Sequence, residues 1–445
     1  MMTDMSSDKG KMFLGGVLLY KALLDIFCWF CLTPIMAKFF LYNFNFKFCY
    51  SEYFISWTVI LIIAYVWFLL IKNMPVDELN FSEWFLLFFI MLYFIPVLSF
   101  YGAGGMNGNC FLLFLVFCSI LICSFFVLKC NNCINEFLVS NTYFSYIPRI
   151  REMMLLVLVC VIFSNLIFIF SFYGQGDWYN FFDNGLQVYE RRAVFTNYSA
   201  ELPLISRYLY SFANVVEIIL MIYIAKKKKW WMIFGVVLLM YMHFSIAAEK
   251  TVLFSGVLTV LLYWGRKYIT PINIVFVFCI GSGVAILDVT LWLYDVSNIP
   301  WFGSLFRRVL FEPIFLNQCY YDYFLSCNTD LFDVFVIFSN RGEIANIISD
   351  IYLLSPSGSA NNGMLGGAIG EFGYIGVVLV PILMSGIMYF FDIMTNNLHA
   401  VDFIALLLLL SFGFVNTMIT TMMITHGVLV VIFLLWCISK RVVNC

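Results

Sequence analysis

The chain has 445 residues, 63% of them hydrophobic and only 11% charged, with a formal net charge of −2 and a mean hydropathy of +0.95. A soluble protein of this length carries about a quarter charged residues, so lipid must replace water around much of this one, which excludes a soluble globular domain. The apolar runs span about 15–25 residues without strand-like alternation, which calls for transmembrane helices rather than a barrel. No basic domain suited to nucleic acid is present, and the net charge is silent on partners.

Residues 1–11 are polar and short and lack the pattern of a cleavable signal, so the first apolar run is expected to remain as a span. Twelve spans are predicted in an all-α polytopic membrane protein that forms one integral membrane domain over 1–445. Ten lie at 13–37, 53–71, 84–101, 110–128, 153–172, 205–225, 230–248, 252–265, 271–291 and 366–391. The stretch 403–438 is long enough for a tight two-helix hairpin.

Orientation follows from lysine and arginine in the connecting loops. Lys9, Lys11, Lys72, Lys129, Arg149, Arg151, Lys226, Lys227, Lys228, Lys229, Arg266, Lys267, Lys440 and Arg441 fall on alternate loops. The opposite side holds Lys38, Lys47, Lys250, Arg191, Arg192, Arg207, Arg307, Arg308 and Arg341. That bias of fourteen to nine puts both termini in the cytoplasm. The cytoplasmic set is mostly lysine, whereas the outer excess is arginine. Anchoring needs only charge, but recognition of phosphate or carboxylate favours the guanidinium fork.

Two long outer loops result, 173–204 and 292–365, and long loops in membrane proteins tend to carry function. The first sets Trp178, Tyr179, Phe181, Phe182 and Tyr189 beside Asp177, Asp183 and Glu190. Aromatic faces with flanking carboxylates suit sugars, since rings cover CH faces and polar groups take hydroxyls. An interfacial aromatic belt uses the same residues, but it has no need of the adjacent Arg191 and Arg192.

The second loop opens with WFGSLFRRVLFEP, in which Arg308 and Glu312 stand i, i+4 apart, the spacing of a helix salt bridge. It continues through Arg341 and Glu343 to the turn-rich SPSGSANNG. Gly363, Gly366, Gly367, Gly370, Gly373 and Gly376 follow at close intervals. Gly366, Gly370 and Gly373 share a helix face, which either packs on a neighbouring helix or admits a lipid chain. In the latter case Asn361, Asn362 and the first helix N–H groups would face an anion. Packing alone leaves Asn361, Asn362 and Glu371 unexplained.

Within the spans, ionisable residues are few: Lys21 and Asp25, four apart, then Glu217 and Asp288. A transporter would line a central path with such groups, and this set is thin for that. His243 and His426 are each either packed rings or candidate bases, and Glu249 with Lys250 forms either an interfacial pair or part of a site. The fourteen cysteines read mainly as small buried hydrophobes. Cys130 and Cys133 make a CxxC with no second pair for zinc. Cys319 and Cys327 share an outer loop and are the candidates for a disulfide.

The segment from Arg341 through SANNGMLGGAIGEFGYIGVVLVP resembles the Wzy-type O-antigen and capsule repeat-unit polymerases. The likeness rests on Ser359, Ala360, Asn361, Asn362 and Gly363, followed by an FGxxG at Phe372, Gly373 and Gly376. AAEKTVLFSG, with Lys250 in its lysine position, is similar to a second segment of that family. The arginines in two large outer loops match as well. A pattern of arginine followed eleven residues later by glycine, present in some members, is absent here.

The resemblance implies a glycosyltransferase-C-like fold and a metal-independent enzyme without cofactor, with polyprenyl-pyrophosphate-linked oligosaccharide as substrate and a chain-length-controlling protein as partner. It implies a place in the bacterial inner membrane. On this expectation Arg191, Arg192, Lys250, Arg307, Arg308 and Arg341 bind pyrophosphate. Trp178, Tyr179, Asn361, Asn362 and Gly370 bind sugar or lipid. The base is Glu343 or Glu249, then His426 or His243. An O-antigen ligase of the same fold, and a flippase or exporter of lipid-linked oligosaccharide, are the alternatives.

Overall fold

The computed structural model describes residues 2–39, 49–71, 79–130, 150–173, 191, 194–195, 198, 204–247, 250–326, 334–353, 364–396 and 398–443. Among these the fold is helical, with no strand. In chain order the helices are α1 (Met2–Ile26), α2 (Thr33–Phe39), α3 (Tyr50–Ile71), α4 (Phe81–Phe89), α5 (Ile95–Gly102) and α6 (Gly108–Cys130). Then come α7 (Ile150–Tyr173), α8 (Leu204–Ser211), α9 (Ala213–Lys226), α10 (Trp230–Ala247), α11 (Lys250–Trp264) and α12 (Pro271–Leu293). The chain continues with α13 (Trp301–Phe306), α14 (Glu312–Ser326), α15 (Val334–Leu353), α16 (Met364–Met394), α17 (Ile404–Asn416), α18 (Ile419–Ile424) and α19 (Val428–Val443).

Among the described residues, five runs are long and apolar enough to cross a membrane: Gly10–Met36, Phe81–Gly102, Gly108–Cys130, Pro271–Leu293 and Met364–Met394. Shorter apolar helices accompany them, including Val157–Phe170 and Trp230–Ile246. The protein is a helical membrane protein. Helix starts follow local chemistry. Asn80 and Glu83 form a capping box, with the Asn80 N–H donating to Glu83 Oε2 at 2.9 Å. Thr270 Oγ1 accepts from the Asn273 N–H at 3.2 Å, with Pro271 set in the first turn of α12.

The chain divides into two compact units. Unit 1 takes residues through 131, 268–389 and 411–419; unit 2 takes 132–267, 390–410 and 420–445. In unit 1, α1 packs along α12, and Gly16 permits the contact: a Cβ there would stand 2.9 Å from Val275 Cγ1. Among the described residues of this unit, three π-helical turns interrupt the helices, at Phe27–Leu32, Ile90–Phe94 and Arg307–Phe311. Phe27 joins two of them, with its ring centroid 5.1 Å from Phe306 and 5.5 Å from Phe311.

The stretch 292–365, expected as an outer loop, holds α13, α14 and α15. Its apolar residues explain this: Leu310, Phe311, Ile314, Phe315, Cys319 and Phe324 are buried in the unit. Cys319 is a buried thiol, and its suggested partner Cys327 lies outside the described residues.

In unit 2, α9, α10 and α11 pack together, and α7 lies against α8, α9 and α10. At one end, Lys226 Nζ stands 3.0 Å from Asp402 Oδ2 and Arg266 Nε 3.4 Å from Oδ1.

Three charges inside the spans of unit 1, Lys21, Asp25 and Asp288, are answered locally. Lys21, fully buried, donates to Asp25 Oδ1 at 2.6 Å, to Oδ2 at 2.9 Å and to Ser56 Oγ at 3.4 Å. Its ammonium also lies 4.9 Å from the Trp57 ring centroid. Asp288 Oδ2 accepts the Gly303 N–H of α13 at 3.0 Å. Removing one member of the Lys21–Asp25 pair strands the other charge. Lys21→Met and Asp25→Leu are each expected to destabilise the protein by about 3–5 kcal/mol, and the double variant by much less. Thermal unfolding in detergent checks this, and equal losses in all three would count against the pair as the cause.

Candidate functional site

The polar chemistry of unit 1 gathers along α14. The π turn before it sets the register. A π turn bonds i to i+5 rather than i to i+4, so Arg307, not Arg308, comes round to Glu312. Arg307 Nη2 lies 3.8 Å from Glu312 Oε2. Arg307 is 8% exposed, while Arg308 is exposed. The expected Arg308–Glu312 bridge is thereby corrected, because the i, i+4 rule presumed an unbroken α-helix.

Further along α14, Asn317 is fully buried. Its Nδ2 donates to Tyr93 Oη at 2.7 Å and its Oδ1 accepts the Gly366 N–H at 2.8 Å. Tyr93 Oη also accepts the Leu365 N–H at 3.0 Å. The next residue, Gln318, accepts the Asn107 N–H at 2.9 Å and donates to Asp322 Oδ1 at 2.7 Å. Burial raises the Asp322 carboxyl above the usual carboxylate range, and the Gln318 amide opposes this.

These bonds change the account of the glycine-rich start of α16. Its Leu365 and Gly366 N–H groups, expected to face an anion, are already used by Tyr93 and Asn317. Nor does the Gly366–Gly370 face admit lipid. A Cβ on Gly366 would stand 3.2 Å from Asn317 Oδ1, and one on Gly370 would stand 2.7 Å from Tyr320 Cε1. That face is a seam against α14, so Gly370 is corrected from lipid-binding to packing. Gly373 has φ 61° and ψ −149° and breaks α16. Only glycine adopts that region without strain. Beyond the break the chain doubles so closely that a Cβ on Gly376 would collide with the Ala368 carbonyl oxygen. The FGYIG motif therefore marks a backbone break. Glu371, just before it, is fully buried.

The remaining candidates are dispersed. Glu343 is exposed on α15, and Arg341 lies on the same helix with its side chain outside the described residues. Two positions apart on a helix, they do not face one another. Lys250 opens α11, with its side chain also outside the described set. Arg191 is half-buried and His426 is exposed in the turn before α19. Trp178, Tyr179, Arg192, Glu249, Asn361 and Asn362 lie outside the described residues. Among the described residues no three His, Cys, Asp or Glu side chains converge to hold a metal ion.

Asn317, Gln318 and Asp322 were not singled out from the sequence. The i, i+4 spacing of Gln318 and Asp322 in NQCYYD was the available signal. No protein-family model matches the chain, and neither a curated protein nor a solved structure is significantly similar to it.

Two substitutions separate packing from backbone strain. Gly370→Ala is expected to push the Tyr320 ring and cost about 1–3 kcal/mol. Gly373→Ala is expected to cost about 1–3 kcal/mol from its forbidden backbone region. In the background Tyr320→Leu, the Gly370→Ala loss should shrink and the Gly373→Ala loss should remain, as read by thermal unfolding in detergent.

Proposed function

We propose that this chain is a metal-independent, lipid-linked glycosyltransferase of the Wzy type. It polymerises undecaprenyl-pyrophosphate-linked oligosaccharide repeat units into O-antigen or capsular polysaccharide at the periplasmic face of the bacterial inner membrane. Twelve spans with both termini cytoplasmic accompany this proposal. What carries it is the resemblance of the SANNG…FGYIG segment to those polymerases, a segment in which Gly373 adopts a backbone conformation that glycine takes without strain. The alternation of loops, though not which side is cytoplasmic, draws support from Lys226, Arg266 and Asp402 meeting in unit 2, and from Lys129 and Glu83 pairing at 2.6 Å in unit 1. Each set is one that the charge pattern assigns to the cytoplasmic side.

In this chemistry an acceptor sugar hydroxyl attacks the anomeric carbon of the donor. The bond to the pyrophosphate oxygen breaks, and the lipid pyrophosphate departs with the electron pair. The hydroxyl proton passes to a base, for which exposed Glu343 is the first choice and Glu249 and His426 the next. Arginine forks stabilise the charge on the leaving group without a metal. Arg308 suits this better than Arg307, since it is exposed beside an ion pair that already engages its neighbour.

Deletion of the gene followed by glycan gel analysis tests the proposal. A single repeat unit per lipid is expected. Absence of glycan on the lipid core would instead indicate a ligase, and repeat units trapped inside the cell a flippase. Arg308→Ala should leave the fold intact and cut polymerisation roughly 10–150-fold, the equivalent of about 1.5–3 kcal/mol for a charge-assisted contact. Arg308→Lys should recover only part of this. Full-length polymer from Arg308→Ala would move the pyrophosphate site elsewhere. Cysteines introduced near Lys228 should resist an impermeant reagent in intact cells, while those near Gln187 should react; the reverse pattern would invert the topology.

A further inference from the structure

Unit 2 buries a carboxyl, an imidazole and an amide in a row. Glu217 of α9, His243 of α10 and Asn165 of α7 are 1%, 2% and 1% exposed. His243 Nδ1 lies 2.9 Å from Glu217 Oε1, and Nε2 lies 3.1 Å from Asn165 Oδ1. The amide's orientation is fixed by its other end. Asn165 Nδ2 donates to the Val161 carbonyl at 2.7 Å and to the Leu209 carbonyl at 3.4 Å. Carbonyls only accept, so the amide nitrogen must face them and its oxygen must face the ring.

That orientation constrains the protons. Asn165 Oδ1 has none to give, so His243 Nε2 carries one. Glu217 Oε1 stands 2.9 Å from Nδ1, though off the line of a hydrogen bond; a bare Nδ1 and a bare carboxylate at that distance repel, so a second proton on one of them stabilises the contact. If the second proton is on the ring, the pair is imidazolium and carboxylate. If it is on the carboxyl, both groups are neutral. Either way the two side chains hold two protons and no net charge. Separated in water near pH 8, they would hold one, because their ordinary pKa values are about 4.3 and about 6.5.

We infer that Glu217 and His243 form a binding site for one proton, enclosed by the helices of unit 2 and aligned by the Asn165 amide. An apolar enclosure favours this loaded form, since a lone buried carboxylate is costly. Among the described residues, His243 is the one charged partner of Glu217. The Tyr210 ring of α8 stands edge-on, its centroid 5.0 Å from that of His243. The other titratable side chains described on the packed helices are Cys160, Tyr208, Tyr223, Tyr241, Tyr263 and Cys437, and the short segment beside Phe168 adds Tyr198 and half-buried Arg191. Lys226, on the last turn of α9, is held by Asp402. Release of the proton would leave one net negative charge among α7, α9 and α10. The packing of these helices and proton occupancy are therefore linked, independently of glycosyl transfer.

The test uses the full chain in detergent micelles, labelled with 15N-histidine. The chain has three histidines, so His399→Gln with His426→Gln leaves His243 as the one imidazole. At pH about 8, well above the usual imidazole value of about 6.5, the Nε2 signal should be that of a protonated nitrogen. Either Nδ1 should also be protonated, or the infrared spectrum should show a protonated carboxyl band that vanishes in Glu217→Gln. Labelling glutamate carboxyls with 13C shifts that band without any substitution, which keeps the test open should Glu217→Gln fail to fold. A single ring N–H with no carboxyl band would overturn the proposal, and a bare Nε2 would overturn the alignment by Asn165.

Discussion

Lysine 21 sits fully buried in α1, and everything around it is arranged to answer its charge. Asp25, one turn on, takes the ammonium with both oxygens, Ser56 of α3 adds a third acceptor, and Trp57 presents its ring. In lipid no water is at hand to solvate such a group, so the partner must come from the protein. The same demand recurs at Asp288, which takes a backbone N–H from α13, and at Glu217, which takes the His243 ring. Each answer ties one helix to another. A few charges, expensive alone, thus fix which helices meet, while the apolar surface supplies most of the area without specifying the pairing.

Backbone irregularity in unit 1 follows a related logic. A regular helix points its polar groups along a fixed spiral, and three π turns alter that spiral at Phe27–Leu32, Ile90–Phe94 and Arg307–Phe311. Tyr93 lies inside the second and Arg307 begins the third. The extra residue in each turn changes which side chains can reach a partner. Tyr93 and Asn317 then cap the first N–H groups of α16, which ends its regular course at Gly373.

Helices were legible because their signal is repeated over many residues: the runs at 84–101, 110–128 and 271–291 recur as Phe81–Gly102, Gly108–Cys130 and Pro271–Leu293. Register was not. Nothing in FRRVLFEP announces a π turn, so the i, i+4 rule selected Arg308 for Glu312. The glycine face of α16 was readable as a close approach, but its occupant was not. A glycine row records only that something is near, and Tyr320 comes from forty-six to fifty positions away along the chain. Burial within 301–326 is hidden in the sequence for a different reason: Arg307, Arg308 and Glu312 give the stretch the charge of a loop, while Leu310, Phe311, Ile314 and Phe315 carry the burial.

Adjacent arginines invite the picture of a double clamp on pyrophosphate, but a helix does not supply one. Successive residues point about 100° apart. Arg307 turns inward toward Glu312 and Arg308 outward. This π turn therefore offers one outward fork, held in place by the inward one. A pyrophosphate carries two phosphoryl groups, and a single planar fork engages oxygens on one face. A second cation within unit 1 must come from another element. The helix bearing Arg341, α15, packs against α14 and is the nearest in sequence to provide it. Under the proposed function Arg341 is the candidate for that second fork, while Arg307, turned toward Glu312, leaves Arg308 as the outward one.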